Sequence, residues 1–136
     1  MIDCLFCKIV AGTIPSSKIY EDDELLAFLD INPINPGHTL VIPKKHYVDF
    51  LDMPESLTGT LFSRSQKIAK AVIAGVGAEG FNIGMNNRKV GGQVVFHAHV
   101  HIMPRFANDG HSLWPGKPYG EGEAKMIQEN ILRSRD

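Results

Sequence analysis

The sequence predicts an α+β fold with an antiparallel five-stranded sheet, one long helix and a short C-terminal helix. Short strand patterns lie on both sides of a single long helical pattern, and turn residues separate them. Strands and helices do not alternate as they would in a parallel sheet. The 136 residues are enough for one domain with a substantial core. We expect a single domain over 1–136, with its core at about 4–105 and a variable tail at 106–136.

The strands before the long helix are short, and clear turn signals separate them. Residues 17–20 and 25–31 are predicted to be two strands, joined by the acidic turn at 21–24. Residues 32–37 form a predicted loop, because two prolines and a glycine interrupt any regular pattern there. A third strand is predicted at 38–43.

The longest helix is predicted to begin near Asp52 or Pro54, with Asp52 as its N-cap, and to end before Gly75. Apolar residues recur at helical spacing through this segment and predict one buried stripe. The stripe consists of Leu57, Leu61, Phe62, Ile68, Ala69, Val72 and Ile73.

The second half of the chain supplies the remaining two strands. A strand is predicted at 81–86, followed by a glycine turn at 91–92 and an apolar strand at 96–103 that carries three histidines. The tail at 121–133 is predicted to form the short C-terminal helix.

Composition excludes several classes of protein. The 14 basic and 15 acidic residues are nearly balanced, which argues against a surface for duplex nucleic acid. No apolar stretch has the length of a membrane span, and the N-terminus lacks a basic region followed by an apolar one. The two cysteines are too few for a disulfide framework, which fits a reducing compartment. We therefore expect a cytoplasmic protein without a membrane partner.

The three histidines of the apolar strand are the most informative residues. His97, His99 and His101 alternate with apolar residues, so in a strand their side chains share one face. Neighbouring histidines on that face lie about 7 Å apart, close enough to act on one small anionic group. Imidazole titrates near neutrality and serves as a nucleophile, a proton donor or a metal ligand. The pattern therefore favours a functional site over a core.

The sequence resembles the histidine-triad (HIT) superfamily, whose defining run is His-φ-His-φ-His-φ-φ with φ apolar. Residues 97–103 match this run at every position, and residues 30–31, 36–46 and 91–93 match other family segments in order and at similar spacing. The likeness covers roughly 4–105 and is closest to the Hint-like branch of nucleotidyl hydrolases and transferases. It implies a HIT-like fold and a homodimer in which the two sheets join.

The resemblance implies chemistry at the α-phosphate of a purine nucleotide conjugate, such as a phosphoramidate, an adenylated amine or a dinucleoside polyphosphate. His99 would be the nucleophile and form a transient nucleotidyl-histidine, with His101 and His38 beside the phosphate. No catalytic metal is implied. The phosphate-binding groups would be Asn86, Gln93 and the main chain at Gly92. Asn86, His38, Gln93 and the glycines are also consistent with ordinary turn, strand-start or hairpin-capping roles.

The nucleoside would bind beside the histidines. In the resemblance Asp30 holds the ribose hydroxyls, because a carboxylate accepts two hydrogen bonds. The residues around the purine would be Phe6, Ile9, Phe28, Ile31 and Leu40. Apolar residues are usually core, so each of these five is also consistent with simple packing.

A second, structural site is predicted at the N-terminus. Cys4 and Cys7 form a Cys-x-x-Cys half-site, and tetrahedral zinc needs two further nitrogen or sulfur ligands. His46 and His97 are the available partners, and relatives with the same four residues hold zinc with them. The alternative is a pair of unligated thiols.

Two features depart from the Hint-like pattern and leave alternatives open. Val94 occupies the position after Gln93, where that branch usually has a serine or threonine that donates to the phosphate or leaving group. Trp114 lies further from the triad than the corresponding tryptophan of relatives that present it to a partner subunit. The alternatives are a zinc-stabilised nucleotide-binding module with little turnover and a hydrolase that holds catalytic zinc on the triad.

Overall fold

The computed structural model describes residues 3–135 and contains the predicted antiparallel five-stranded sheet. The strands are β1 (Lys18–Glu21), β2 (Leu25–Leu29), β3 (Thr39–Pro43), β4 (Gly80–Gly84) and β5 (Val100–Arg105). Their spatial order is β1-β2-β3-β5-β4, and every neighbouring pair is antiparallel. Because β5 lies between β3 and β4, His101 of β5 pairs with Leu40 on one side and Gly84 on the other.

Within residues 3–135, three α-helices and one 3-10 turn accompany the sheet. They are α1 (Leu5–Val10), the 3-10 turn (Phe50–Asp52), α2 (Glu55–Val76) and α3 (Glu123–Ser134). The sequence pattern did not predict α1, because a helix of six residues is too short to show a helical period. None of the described helices has both the length and the apolar character that crossing a membrane requires.

The long helix begins after Pro54, as predicted, but its predicted N-cap and its predicted C-terminal end need correction. Asp52 does not cap α2, since its carboxylate accepts the Val48 N–H at 2.8 Å within the preceding turn, and α2 follows Pro54 without a side-chain cap. At the other end Gly75 lies inside the helix, where one glycine costs only about 1 kcal/mol relative to alanine. Gly77 ends α2 because it adopts the left-handed conformation, with φ of 67°.

Helix α2 covers one face of the sheet. Leu57, Leu61, Ile68, Ala69 and Val72 of the predicted stripe are buried in this core. The sheet contributes Leu25, Ala27, Val41, Ala98, Val100 and Ile102. Phe62 and Ile73 are exceptions, because they lie at the margin of the helix and line a surface groove beside β4 instead.

Helix α1 covers part of the opposite face and forms a second core. Its Phe6 and Ile9 pack with Cys4 and with the sheet residues that alternate with those of the α2 core. These are Leu26, Phe28, Leu40 and Ile42. The histidine segment obeys the same alternation. Since Ala98, Val100 and Ile102 belong to the α2 core, the histidines between them face the α1 side.

The regular strand within the histidine segment is shorter than predicted at its start. β5 begins at Val100, so His97 and His99 precede its ladder, and the Ala98 N–H donates to the Tyr47 carbonyl at 2.7 Å instead. Beyond β5, the chain is irregular until α3, which has no buried residue.

Candidate active site and metal centre

One cavity of about 510 Å³ lies between α1 and the sheet on the side of the histidines. It gathers ten of the twelve residues predicted to bind phosphate or nucleoside or to act in catalysis. These are Phe6, Ile9, Phe28, Asp30, Ile31, Leu40, Asn86, Gly92, His99 and His101. His38 lies directly behind His101, and Gln93 does not line the cavity.

His99 is a neutral imidazole whose tautomer is fixed by a hydrogen bond. Its Nδ1–H donates to the His97 carbonyl at 2.6 Å, so the lone pair is on Nε2. The side chain is 6% exposed, and burial lowers its pKa below 6.5. The ring edge of Phe6 meets His99 with centroids 5.0 Å apart, which restricts the imidazole further. A neutral imidazole with a fixed free nitrogen suits nucleophilic attack.

His38 and His101 form a hydrogen-bonded relay with one direction. The Ile34 N–H donates to His38 Nδ1 at 3.1 Å, which places the His38 proton on Nε2. That Nε2–H donates to His101 Nδ1 at 2.9 Å, so the His101 proton is on Nε2. His101 therefore offers a hydrogen-bond donor at Nε2. Burial is the main cause that lowers the pKa of His101 to about 4. Burial is also the main cause that lowers the pKa of His38 below its usual value.

Asp30 joins this relay from the end of β2. Its Oδ2 lies 3.7 Å from His38 Nε2, and its Oδ1 accepts the Asn32 N–H at 2.9 Å. Asp30, His38 and His101 together have ligand atoms close enough for a metal ion. A metal on His38 Nε2 would, however, need the nitrogen that carries the proton, because Nδ1 already accepts from the main chain. The donor set here fits a proton relay better than a metal site.

Asn86 and Gly92 face each other across the turn next to the cavity. The Asn86 amide donates to the Gly92 carbonyl at a long 3.5 Å, so this amide remains available to a better acceptor. Gly92 has φ of 94°, and a Cβ there would lie 3.3 Å from Asn86 Nδ2. Glycine therefore suits both the backbone conformation and the close approach of the amide.

Gln93, for which a phosphate contact is predicted, does not line the cavity, and its side chain is hydrogen-bonded to the main chain. Its Nε2 donates to the Val48 carbonyl at 2.6 Å and to the Val95 carbonyl at 3.1 Å. Its Oε1 accepts the Arg88 N–H at 2.8 Å, and the side chain is buried. The main chain thus occupies both ends of the amide, and Gln93 secures the turn, in line with the hairpin-capping alternative.

The remaining cavity wall is apolar and is built from α1 and β2. Phe6 and Phe28 pack edge to face, with centroids 5.5 Å apart, and both are buried, as are Ile9 and Leu40. Ile31 is 87% exposed and lies on the cavity surface, so core packing does not explain it. Together with Asp30, these residues form an apolar cleft that includes a carboxylate.

Two residues outside the cavity hold the loop before His38. Arg105 makes a bidentate ion pair with Asp109, at 2.8 and 3.0 Å, and Asn35 donates to the same carboxylate at 3.0 Å. These donors hold the pKa of Asp109 well below its usual range. Sequence reasoning missed this anchor, because the only local signal was an acidic residue before Gly110 in the tail.

Cys4, Cys7, His46 and His97 form a compact cluster beside α1, with all ligand atoms within 4.8 Å of one another. His97 Nδ1 lies 3.5 Å from Cys4 Sγ and 3.6 Å from Cys7 Sγ, and His46 Nδ1 lies 3.4 Å from Cys7 Sγ. A sulfur and a nitrogen on one tetrahedral zinc ion lie about 3.5 Å apart, given the usual bond lengths.

The orientation of His97 also fits a metal ligand. Its Nε2–H donates to the Pro43 carbonyl at 2.7 Å, so the lone pair is on Nδ1 and faces the two thiols. A main-chain acceptor behind the ring is the usual support of a metal-binding imidazole. The four residues therefore fit structural zinc in number, type and spacing.

The two residues that depart from the Hint-like pattern lie in different places. Val94 is 84% exposed and lines the same cavity as Asn86, His99 and His101. Trp114 is 92% exposed and does not line the cavity of its own chain.

Comparison with known proteins gives a consistent result. The HIT domain matches residues 11–108. The chain is 50% identical over 107 residues to an uncharacterised HIT-like protein of Methanocaldococcus jannaschii, covering 79% of this chain and 82% of that protein. It is 40% identical over 127 residues to adenylylsulfatase HINT3 of Arabidopsis thaliana, covering 93% of this chain and 64% of that protein. Identity to the adenosine 5'-monophosphoramidase of Schizosaccharomyces pombe is 38%, with 96% of both chains covered.

Solved structures agree with these relatives. A Streptococcus mutans protein superposes with a TM-score of 0.93 at 48% identity, covering 98% of this chain and 85% of that one. A HIT family protein of Bacillus subtilis has a TM-score of 0.92 at 39% identity, with 99% of both chains covered. A zinc-bound histidine triad protein of Mycobacterium smegmatis has a TM-score of 0.77 at 39% identity, covering 96% of this chain and 94% of that one.

Proposed function

The chain belongs to the histidine-triad (HIT) family, and we propose that it is a nucleotidyl hydrolase or transferase that cleaves purine nucleotide conjugates at the α-phosphate. The observation that carries this proposal is the fixed tautomer of His99, whose free Nε2 belongs to a ring lining an apolar cleft with a carboxylate. Relatives named for adenylylsulfatase and adenosine 5'-monophosphoramidase activity support the substrate class. Phosphoramidates, adenylated amines and dinucleoside polyphosphates all contain the required bond.

The proposed reaction has two steps. His99 Nε2 attacks the α-phosphorus, the bond to the leaving group breaks, the leaving group takes up a proton from solvent, and a nucleotidyl-histidine forms. Water then attacks the same phosphorus and gives up a proton to solvent, the P–N bond to His99 breaks, and the nucleotide monophosphate leaves. The His101 Nε2–H and the Asn86 amide donate to the equatorial phosphate oxygens, where charge develops. The His38 proton keeps His101 in the donating tautomer throughout.

The nucleoside occupies the apolar cleft in this proposal. The purine lies against Phe6, Ile9, Phe28 and Leu40, with Ile31 at the open side. Asp30 accepts hydrogen bonds from the ribose hydroxyls. The proposal covers both purines, adenine and guanine.

Trapping the intermediate tests the function. Protein quenched during turnover of adenosine 5'-phosphoramidate should carry an AMP-sized adduct on His99, and the His99→Ala variant should carry none. Rapid turnover without an adduct, lost on chelation, would instead favour a zinc hydrolase. Binding of AMP with no turnover would favour the nucleotide-binding module, for which the aliphatic Val94 in the cavity is the specific observation.

Structural zinc at Cys4, Cys7, His46 and His97 is part of the proposal. The S···N separations of 3.4 to 3.6 Å support it, as does the zinc-bound relative. Bound zinc would supply cross-links between α1 and the sheet, not catalysis. Elemental analysis should find one zinc per chain, and Cys7→Ser should lower both the zinc content and the melting temperature. Full zinc content in that variant would contradict the assignment.

We also propose a homodimer that forms through β4. This strand is an edge of the sheet, and Phe62, Phe81 and Ile83 are 39%, 49% and 40% exposed around a groove of about 570 Å³. An unpaired edge beside exposed aromatic residues is typical of a strand-pairing interface. In light scattering, Ile83→Glu should convert the dimer to a monomer. Ile19→Glu, at the opposite edge strand, should leave the dimer intact.

A further inference from the structure

Helix α1 presents different side chains to the two sites on its flanks. Cys4 and Cys7 face the imidazoles of the metal cluster, whereas Phe6 and Ile9 form part of the cavity wall. The helix has only six residues, so it is not stable by its own hydrogen bonds. Its position must depend on the contacts that its two sides make. A ligand on either side therefore acts on the same short helix.

Phe6 is the first physical link between the two sites. It follows Cys4 by two residues and precedes Cys7 by one, and it is 4% exposed. Its ring lies with its centroid 5.0 Å from that of His99 and 5.9 Å from that of His97. A movement of α1 would therefore move the wall of the nucleoside cleft and release the ring of His99 together.

His97 is the second link. Its ring belongs to the metal cluster through Nδ1, while its main-chain carbonyl accepts the His99 Nδ1–H at 2.6 Å. The second ring nitrogen is fixed by Pro43 at 2.7 Å. One residue thus contributes its side chain to one site and its backbone to the other. Holding the His97 ring holds the acceptor that sets the tautomer of His99.

We infer that zinc binding at the four-residue cluster and nucleotide binding in the cavity are thermodynamically coupled through Phe6 and His97, with each ligand strengthening the other. The inference rests on the proposed nucleotide and zinc sites and adds a relation between them. Phe6 and His97 act in it as positioning residues. The metal site would then tune nucleotide affinity as well as stabilise the fold.

The sign of the coupling follows from the shared element. Zinc holds α1 against the sheet with Phe6 in the cavity wall, and a purine packed on Phe6 favours that same placement. Two ligands that favour one state bind with positive coupling, and the factor is the same in both directions. We expect a factor of roughly 5 to 100, which is the usual range of such couplings.

The test measures both directions of the coupling with AMP as the probe. Calorimetry gives the Kd of AMP for zinc-loaded and for zinc-free protein, after circular dichroism has shown that the zinc-free protein is folded. Competition with a colorimetric chelator gives the Kd of zinc with and without saturating AMP. The inference predicts the same ratio, at least about fivefold, in both experiments.

Two variants separate coupling from simple loss of contact. Phe6→Leu keeps an apolar residue on α1 but removes the aromatic contacts with His97 and His99, so the ratio should fall towards one. Ile31→Ala also removes a cavity contact, but Ile31 is not on α1. It should weaken AMP binding equally with and without zinc and leave the ratio unchanged.

The possible outcomes distinguish the coupling from the proposed nucleotide and zinc sites on which it rests. AMP affinities within twofold of each other in folded zinc-loaded and zinc-free protein would overturn the coupling and leave the proposed function standing. A failure of both forms to bind AMP would overturn the proposed function, and a failure to bind zinc would overturn the metal site. Either failure would also overturn the coupling.

If the zinc-free protein unfolds, cobalt-loaded protein decides the question. Cobalt(II) absorbs in the visible when thiolates bind it, so its spectrum reports the geometry of the cluster in the folded protein. Saturating AMP should shift that band in the wild-type protein and in Ile31→Ala, but not in Phe6→Leu. A wild-type band that AMP leaves unchanged would then overturn the inference.

Discussion

His99 donates its Nδ1–H to the carbonyl of His97, two residues earlier, at 2.6 Å. Both residues precede β5, so this bond forms outside the strand ladder. The bond excludes the tautomer with a proton on Nε2 and presents a lone pair to the cavity. The main chain thus fixes the tautomer that the proposed nucleophilic role of His99 requires.

Chemical rescue tests the role of the His99 ring. His99→Gly should lower turnover on the order of a thousandfold or more, because the covalent route is lost. Imidazole added to the vacated space should restore part of the rate by attacking the phosphorus itself. Pyrrole has the same ring size but no basic nitrogen, so it should not restore activity. Rescue by both compounds, or by neither, would count against a nucleophilic role.

Asp30 should determine the preference for a ribose. We expect Asp30→Asn to weaken AMP binding by about tenfold or more, since hydrogen bonds to a charged acceptor contribute about 1.5 to 3 kcal/mol. Binding of 2',3'-dideoxy-AMP should change much less, because it lacks the hydroxyl donors. Asp23→Asn makes the same charge change at an exposed position and should affect neither ligand. Equal losses for both nucleotides in Asp30→Asn would contradict the assignment.

The alternation at 97–101 made the face of the histidines predictable, since Ala98 and Val100 enter the opposite core as the period requires. The sequence did not predict α1, because six residues are too few to show a period and their position depends on tertiary contacts. Nor could it show the role of Gln93. The Gln93 amide donates to the main-chain carbonyl of Val48, 45 residues away. A main-chain acceptor does not depend on residue type, so it leaves no pattern in the sequence.

Gln93 should contribute to stability more than to phosphate binding. Gln93→Ala removes three hydrogen bonds of a buried amide and leaves main-chain partners unpaired, so we expect a loss of about 1 to 3 kcal/mol in the free energy of unfolding. Urea denaturation measures this loss. In the folded variant, the KM should rise only modestly. An unchanged stability with a large fall in kcat would instead indicate that the amide contacts the phosphate.

Stability should fall in mild acid because of His101. Its pKa is about 4 in the folded protein and near 6.5 in the unfolded chain. Between these values the unfolded chain binds the extra proton, so the free energy of unfolding rises with pH, by at most about 1.4 kcal/mol per pH unit for one group. Urea denaturation from pH 4 to 7 should give a shallower slope for His101→Gln. Equal pH slopes of the free energy of unfolding in the two proteins would show that His101 is not the cause.

Val94 should limit the rate at which the site turns over its substrate. Val94→Ser introduces a hydroxyl donor at the cavity surface, and one donor of this kind contributes about 2 to 4 kcal/mol to a transition state. We expect kcat for adenosine 5'-phosphoramidate to rise at least about tenfold. The residue is 84% exposed, so the melting temperature should hardly change. Val90→Ser makes the same change at a fully exposed residue outside the cavity and should leave kcat unaltered. An equal effect of the two variants would mean that Val94 does not face the reacting phosphate.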